Sequence, residues 1–259
     1  MTGDVKAHSQ QRFSQYARSY VTSETHSQGH DLDRLLELAQ PQPDWVVLDI
    51  ATGGGHTALK FAPHVAKVIA SDYAPAMLAE AKTFIDAQGV TNVEYAEADA
   101  ENLPFPDAMF DLVTCRVAAH HFPDAFKFVT ESARVLKPGG ALLVQDHLNP
   151  DDDKAAAYIE AFERLRDPSH NRVFNSYEWQ GLYLDAGLTV EHWERINRTA
   201  KFVPWVERQG RPSEVKEHLE ILMLQAPDPV KAWMNFQCAG TPDATLDHVY
   251  IAILGKKPA

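Results

Sequence analysis

The stretch "VLDIATGGGHTA" at residues 47–58 decides the fold. It begins inside an apolar run, "WVVLDI" (45–50), and passes at once into small residues. A buried strand that breaks into glycines brings backbone N–H groups and the start of the next helix close to a ligand, because no Cβ intervenes. Gly53 and Gly55 are expected to do this. A nicotinamide-type Gly-x-Gly-x-x-Gly pattern is not met, since its third glycine has no counterpart at that spacing and Asp49 lies within the strand end. A dehydrogenase is disfavoured.

Working outward, short β-branched runs alternate with helical patterns from 42 to 148, which predicts a parallel sheet covered by helices. Strands are expected at "WVVLDI", "AKVIASD" (66–72), "VEYAEAD" (93–99), "FDLVTCR" (110–116) and "ALLVQD" (141–146). Their apolar character predicts central places in the sheet. Pro75 opens one crossover helix, with Met77, Leu78, Ala81 and Ile85 at helical spacing and Gly89 as the stop. Phe126, Val129, Ala133 and Leu136 form a second stripe, closed by a turn at "KPGG" (137–140). Residues 8–39 read as helical and mostly polar, with Leu32, Leu35, Leu36 and Ala39 on one face. Beyond 150, "LTVEHWERI" (188–196) and "LDHVYIAILGKK" (246–257) read as two further strands. The long stretch between them holds the amphipathic "SEVKEHLEILMLQA" and reads as a cap.

The chain has 259 residues, 45% of them hydrophobic, enough for one large core. A net charge of -12 and dispersed lysines and arginines disfavour a nucleic-acid partner. No apolar run approaches a membrane span and the first residues lack a signal-peptide pattern, so no membrane partner and a cytoplasmic location are expected. Cys115 and Cys238 form neither a metal pair nor a disulfide framework. The acidic run Asp151–Asp153 reads as a solvated helix start, and no metal is expected.

Four ordered segments carry a resemblance. "DIATGGG" (49–55) is similar to the first motif of class I S-adenosylmethionine-dependent methyltransferases, with Asp49, Gly53 and Gly55 matching and Ala51 standing where the family has its first glycine. "VIASDYAPAML" (68–78) resembles the second motif, "AEADAENLPFPDAMFDLV" (96–113) the third, and "LKPGGALLVQDH" (136–147) the turn into the fifth strand. The likeness is nearest to the ubiquinone/menaquinone-biosynthesis-like branch and covers about residues 10–150.

The resemblance implies a Rossmann-like, doubly wound α/β fold with a mostly parallel seven-stranded sheet and helices on both faces. The pattern of elements predicts one domain over 1–259: a helical leader or lid (1–41), a cofactor-binding core (42–150), helices and a sixth strand (151–198), a cap insertion (199–245) and the last strand (246–259). S-adenosylmethionine is the implied cofactor. Asp49, Ala51, Thr52, Gly53, Gly55 and His56 would form its loop, Asp72 would hold the ribose hydroxyls, and Tyr73 and Met77 would flank the adenine. Asp99 and the Ala100 N–H would read the adenine edge, while Cys115 and Arg116 would lie on the methyl side. Tyr20, with Phe13 and Tyr16, would reach the site from the leader.

Several alternatives stay open. Asp72 also suits a helix cap, and Met77 ordinary core. His120 or His121 could serve as a general base, since imidazole titrates near ~6.5, or could simply line the pocket. Tyr16, His121, His147, Arg166 and His170 are candidates for contacting a small-molecule methyl acceptor. Phe202, Trp205, Leu222, Met223, Trp233 and Phe236 suit either an apolar acceptor pocket or plain core. A non-catalytic adenosylmethionine- or adenosylhomocysteine-binding regulator would keep the same cofactor motifs. The acceptor and the oligomeric state are not legible.

Overall fold

A computed structural model describes Lys6, Gln10 and residues 30–259. The leader residues Phe13, Tyr16 and Tyr20 lie outside the described residues. Seven strands form one sheet: β1 (Val46–Ile50), β2 (Lys67–Asp72), β3 (Val93–Glu97), β4 (Phe110–Arg116), β5 (Leu136–His147), β6 (Thr189–Lys201) and β7 (Thr245–Lys256). Their order is β3-β2-β1-β4-β5-β7-β6. The first five are parallel, and β7 runs antiparallel to both β5 and β6. The chain winds one way from β1 through β2 to β3 and the other way from β4 to β5. A crevice therefore opens at the carboxyl ends of β1 and β4, the switch point where α/β sheets bind ligands.

Alternation along each strand builds two apolar layers. Leu48, Ile50, Val113, Leu142 and Val144 face one side with Ile251 and Ile253. Helices α4 (Ala125–Val135) and α6 (Ser176–Asp185) cover them through Phe128, Val129, Trp179 and Tyr183. Val47, Leu112 and Leu143 face the other side, under α1 (His30–Ala39), α2 (His56–Phe61) and α3 (Pro75–Asp86). Leu35 and Ala39 from the expected leader face are buried there. Asp124 caps α4 by accepting from the Lys127 N–H, and Asn175 and Glu178 form a reciprocal capping box on α6.

A third apolar cluster joins α5 (Asp153–Arg166) to the helices between β6 and β7, namely α7 (Phe202–Glu207), α8 (Ser213–Gln225) and α9 (Asp228–Met234). Phe202 and Met223 are fully buried within it, and Leu222, Trp233 and Phe236 pack against it. These side chains form core rather than a pocket.

One expectation needs correction. The run 93–99 reads as central, yet β3 is an edge strand in which no residue is fully buried. Glu94 and Glu97 explain it, because two carboxylates in five residues are tolerated only where water reaches them. The "KPGG" turn is a local irregularity inside β5: Leu136 already pairs with Phe110, and the regular register resumes at Leu112 and Ala141.

Candidate active site

A cavity of about 1050 Å³, counting the space at its open mouth, opens at the switch point. Its floor is the loop from Ile50 to Gly54. Asp49 anchors that loop from behind, accepting from Thr52 Oγ1 at 2.6 Å and Thr114 Oγ1 at 2.8 Å. Burial raises the Asp49 carboxyl to about 6, against the lowering influence of those two hydroxyls and of Arg116. Ala51 turns the chain with φ 52° and Gly53 with φ 56°. Gly55, at φ 83°, faces away from the cavity: a Cβ there would come within 2.9 Å of Ile85 Cδ1 on α3. Its glycine serves close packing of loop on helix.

Asp72, at the end of β2, is buried and reaches the same cavity. Its two oxygens accept from the Gly53 N–H at 3.0 Å and the Ala74 N–H at 2.9 Å. Burial raises its pKa, and the backbone donors oppose that. The carboxylate is thus fixed by the glycine loop itself. Tyr73 and Met77 supply apolar faces beside it, and His56 packs edge-on against Phe84 at 4.8 Å. On the far wall stand Ala98–Glu101, after β3. Lys6 and Gln10 lie against this end. Lys6 Nζ lies 2.7 Å from both Asp99 Oδ2 and Glu101 Oε2, and Gln10 donates to the Tyr73 carbonyl at 2.9 Å. Burial opposes the Lys6 charge, but the two carboxylates outweigh it and hold the ammonium above the usual lysine range.

A second cavity lies beyond the first and shares Arg116, Val117 and His121 with it. Val117 is a β-branched residue at φ 54°, a backbone region it rarely adopts, at the junction. The ring nitrogen His121 Nδ1 sits 2.9 Å from the Ser169 carbonyl, so it carries the proton and leaves Nε2 as the acceptor nitrogen. Burial lowers the His121 pKa despite Asp167 nearby. His120 is held more firmly: Asp146 Oδ1 lies 2.6 Å from its Nδ1, and Asp146 Oδ2 accepts its backbone N–H at 2.9 Å. Burial drives the His120 pKa well down, with His121 adding to the effect. Both rings are neutral near pH 7.

The other sequence candidates divide. His147, Arg166 and Trp205 line the second cavity. His170 is turned to Glu160, with Nε2 to Oε2 at 3.1 Å, and lines neither cavity. Cys115 is buried among apolar side chains, also off both linings. Sequence reasoning missed Asp146 as the partner of His120, and missed Arg198, Arg208 and His248 on the second wall. The ligand atoms of His147, Glu163 and His248 lie within 4.8 Å of one another, a spacing a metal ion would accept. Arg166, Arg208 and Arg198 surround His248 and set a positive field against a cation there.

A family model described as a methyltransferase domain matches residues 48–144. The Bacillus subtilis methyltransferase YcgJ is 37% identical over 219 residues, which cover 85% of this chain and 87% of that protein. The chain belongs to the methyltransferase family. The crystal structure of YcgJ superimposes on this methyltransferase with a TM-score of 0.85, covering 89% of this chain and 99% of that one. A demethylmenaquinone methyltransferase from Thermus thermophilus is 41% identical over 119 residues, 45% of this chain and 54% of that protein. The cofactor of the methyltransferase is S-adenosylmethionine. The residues present fit it: a buried carboxylate fixed by two backbone donors, a loop free of Cβ atoms at Gly53 and Gly54, and apolar faces from Tyr73 and Met77.

Proposed function

We propose that this methyltransferase transfers a methyl group to a small organic acceptor seated in the second cavity. The observation that carries this reading is that Arg116, Val117 and His121 line both cavities, which sets the second directly beside the first. The chain charge of -12 speaks against a nucleic-acid acceptor. The name of the Thermus relative, which spans less than half of this chain, is of a small-molecule enzyme and points the same way.

When bound, S-adenosylmethionine supplies an electrophilic methyl group on a sulfonium. In this reading Asp72 takes the ribose hydroxyls, the loop from Ala51 to Gly54 lies against the amino-acid end, and Asp99 faces the adenine amine. Asp99 would then exchange part of its contact with Lys6 for the ligand. Holding donor and acceptor in line can lower the barrier by about 7–11 kcal/mol, so positioning does most of the catalysis. His121 accepts the proton that the acceptor loses, on the nitrogen left unprotonated by the Ser169 carbonyl. Asp146 fixes His120 beside it, with the two rings 4.0 Å apart.

The test is a metabolite pool incubated with methyl-labelled cofactor, followed by separation of small molecules from macromolecules. Label in a low-molecular-weight product supports the reading. Binding of adenosylhomocysteine with no transfer to any fraction would favour a regulatory binding protein. With the acceptor in hand, His121→Ala should lower kcat by about a hundredfold while adenosylhomocysteine still binds. Because burial lowers the His121 pKa, kcat should stay flat as pH falls to about 6.5 and drop only below it.

A further inference from the structure

The second cavity has an unusual electrostatic composition for a chain that is acidic overall. Its wall carries Arg116, Arg166, Arg198 and Arg208 against the carboxylates of Asp31 and Asp167. Both carboxylates are engaged. Asp31 pairs with Arg116 at 2.8 Å and more loosely with Arg198 at 3.9 Å. Asp167 accepts from the Ser169 N–H and Oγ and from Gln209 Nε2 at 2.9 Å.

Arg166 is the informative residue. It ends α5, is 9% exposed, and its guanidinium donates through Nε and Nη2 to the Trp205 carbonyl, at 3.2 Å each. Its charged carbon lies 4.3 Å from the centre of the Trp205 ring. Among the described residues no carboxylate lies within ion-pairing distance of it. Glu163 and Asp167 act on it through space without pairing with it, and a buried cation with no direct ion pair is suited to a ligand that brings a charge of opposite sign. The guanidinium fork matches the paired oxygens of a carboxylate or a phosphate.

Two more arginines reach the same space from different elements, Arg198 from β6 and Arg208 from the end of α7. Strand register brings the rest of the wall into line, because Arg198 stands opposite His248, and His147 opposite Tyr250. Burial, and then Arg166, Arg208 and Arg198, push the His248 imidazole down to about 3, so it stays neutral and adds no competing charge. The wall is positive at neutral pH without any histidine being protonated.

We propose that the second cavity is an anion site and that the methyl acceptor is a small organic carboxylate or phosphate, its charged group held by Arg166 with Arg198 and Arg208 and its reacting atom directed to His121. The acceptor role rests on the methyltransferase reading of the first cavity; the anion site does not. Trp205 and Tyr250 on the same wall suit a flat or apolar body behind the charged group.

The test titrates benzoate, phenyl phosphate and benzyl alcohol by calorimetry at low ionic strength, into the protein alone and into the protein saturated with adenosylhomocysteine. At least one anion should bind about tenfold or more tightly than the neutral alcohol, and whichever anion is tighter names the charged group. Arg166→Met should weaken that anion about tenfold while changing adenosylhomocysteine affinity by less than about twofold, with partial recovery in Arg166→Lys. Adenosylhomocysteine binding reports that the variant is folded. Arg198→Met, on a separate strand, should also weaken the anion, and it carries the test if Arg166→Met does not fold. Equal binding of alcohol and anions, no anion binding, or anion affinity unchanged in the folded variants would overturn the proposal. Failure of adenosylhomocysteine to bind, with anion preference intact, would instead remove the donor reading and leave the anion site standing.

Discussion

Ala51 holds a left-handed backbone, φ 52°, at the turn out of β1, where its methyl group crowds the chain. Glycine adopts that conformation without the steric cost, although it loses more freedom on folding. Ala51→Gly should therefore raise stability by up to about 1 kcal/mol, read as an increase in the denaturation midpoint at unchanged slope. Gly55 is the reverse case. Its positive φ of 83° and the 2.9 Å approach to Ile85 Cδ1 leave no place for a Cβ. Gly55→Ala should cost about 1–3 kcal/mol by forcing α3 away from the loop, with a lower melting temperature as the readout. The two substitutions differ by one methyl group and should act in opposite directions.

At the scale of elements, the residues that line the first cavity are largely legible in the sequence and those of the second are not. Asp49, Asp72 and Asp99 lie at or just past the ends of β1, β2 and β3, and parallel strands wound by short crossovers bring such ends to one edge whatever the packing details. The glycine loop and the "LPFPDAMF" segment are contiguous, so their local spacing survives translation into structure. Gly55 in the loop and Cys115 at the end of β4 point into the core, because adjacent residues of a strand or turn face opposite ways. The second cavity is assembled from α1, β4, the turn at 117–121, β5, α5, β6, α7 and β7. The antiparallel registers of β6 and β5 on β7 set Arg198 against His248 and His147 against Tyr250, and no local pattern encodes them. The apolar stripe between β6 and β7 followed the commoner outcome for such stripes: it packs on α5 as core, and Trp205 alone of the named aromatics reaches the cavity wall.

For the whole molecule, the buried histidines tie stability to pH. His248 binds a proton below about 6.5 in the unfolded chain but only near about 3 in the folded one. The unfolded state therefore takes up more protons between these values, and stability present above pH 6.5 is lost as pH falls. At pH 5 this one residue costs about 2 kcal/mol. Asp49 works in the opposite sense: burial raises its carboxyl to about 6, so acid relieves part of the cost of burying it. Comparison with His248→Gln isolates the histidine. The variant should lose about 2 kcal/mol less than the parent between pH 7 and pH 5 in denaturant unfolding at each pH.

The central claim is that the crevice at the ends of β1 and β2 binds the methyl donor through a carboxylate fixed by the glycine loop. Calorimetric titration of adenosylhomocysteine into the parent protein and into Asp72→Asn tests it most directly, with NAD as the competing ligand. Asp72→Asn removes one of the two acceptor oxygens that the Gly53 and Ala74 N–H groups use, and the charge that favours the ribose hydroxyls. Adenosylhomocysteine should bind the parent protein, NAD should not, and the variant should bind about tenfold or more weakly while remaining folded. Tight binding of NAD, or adenosylhomocysteine affinity unchanged in Asp72→Asn, would contradict the account.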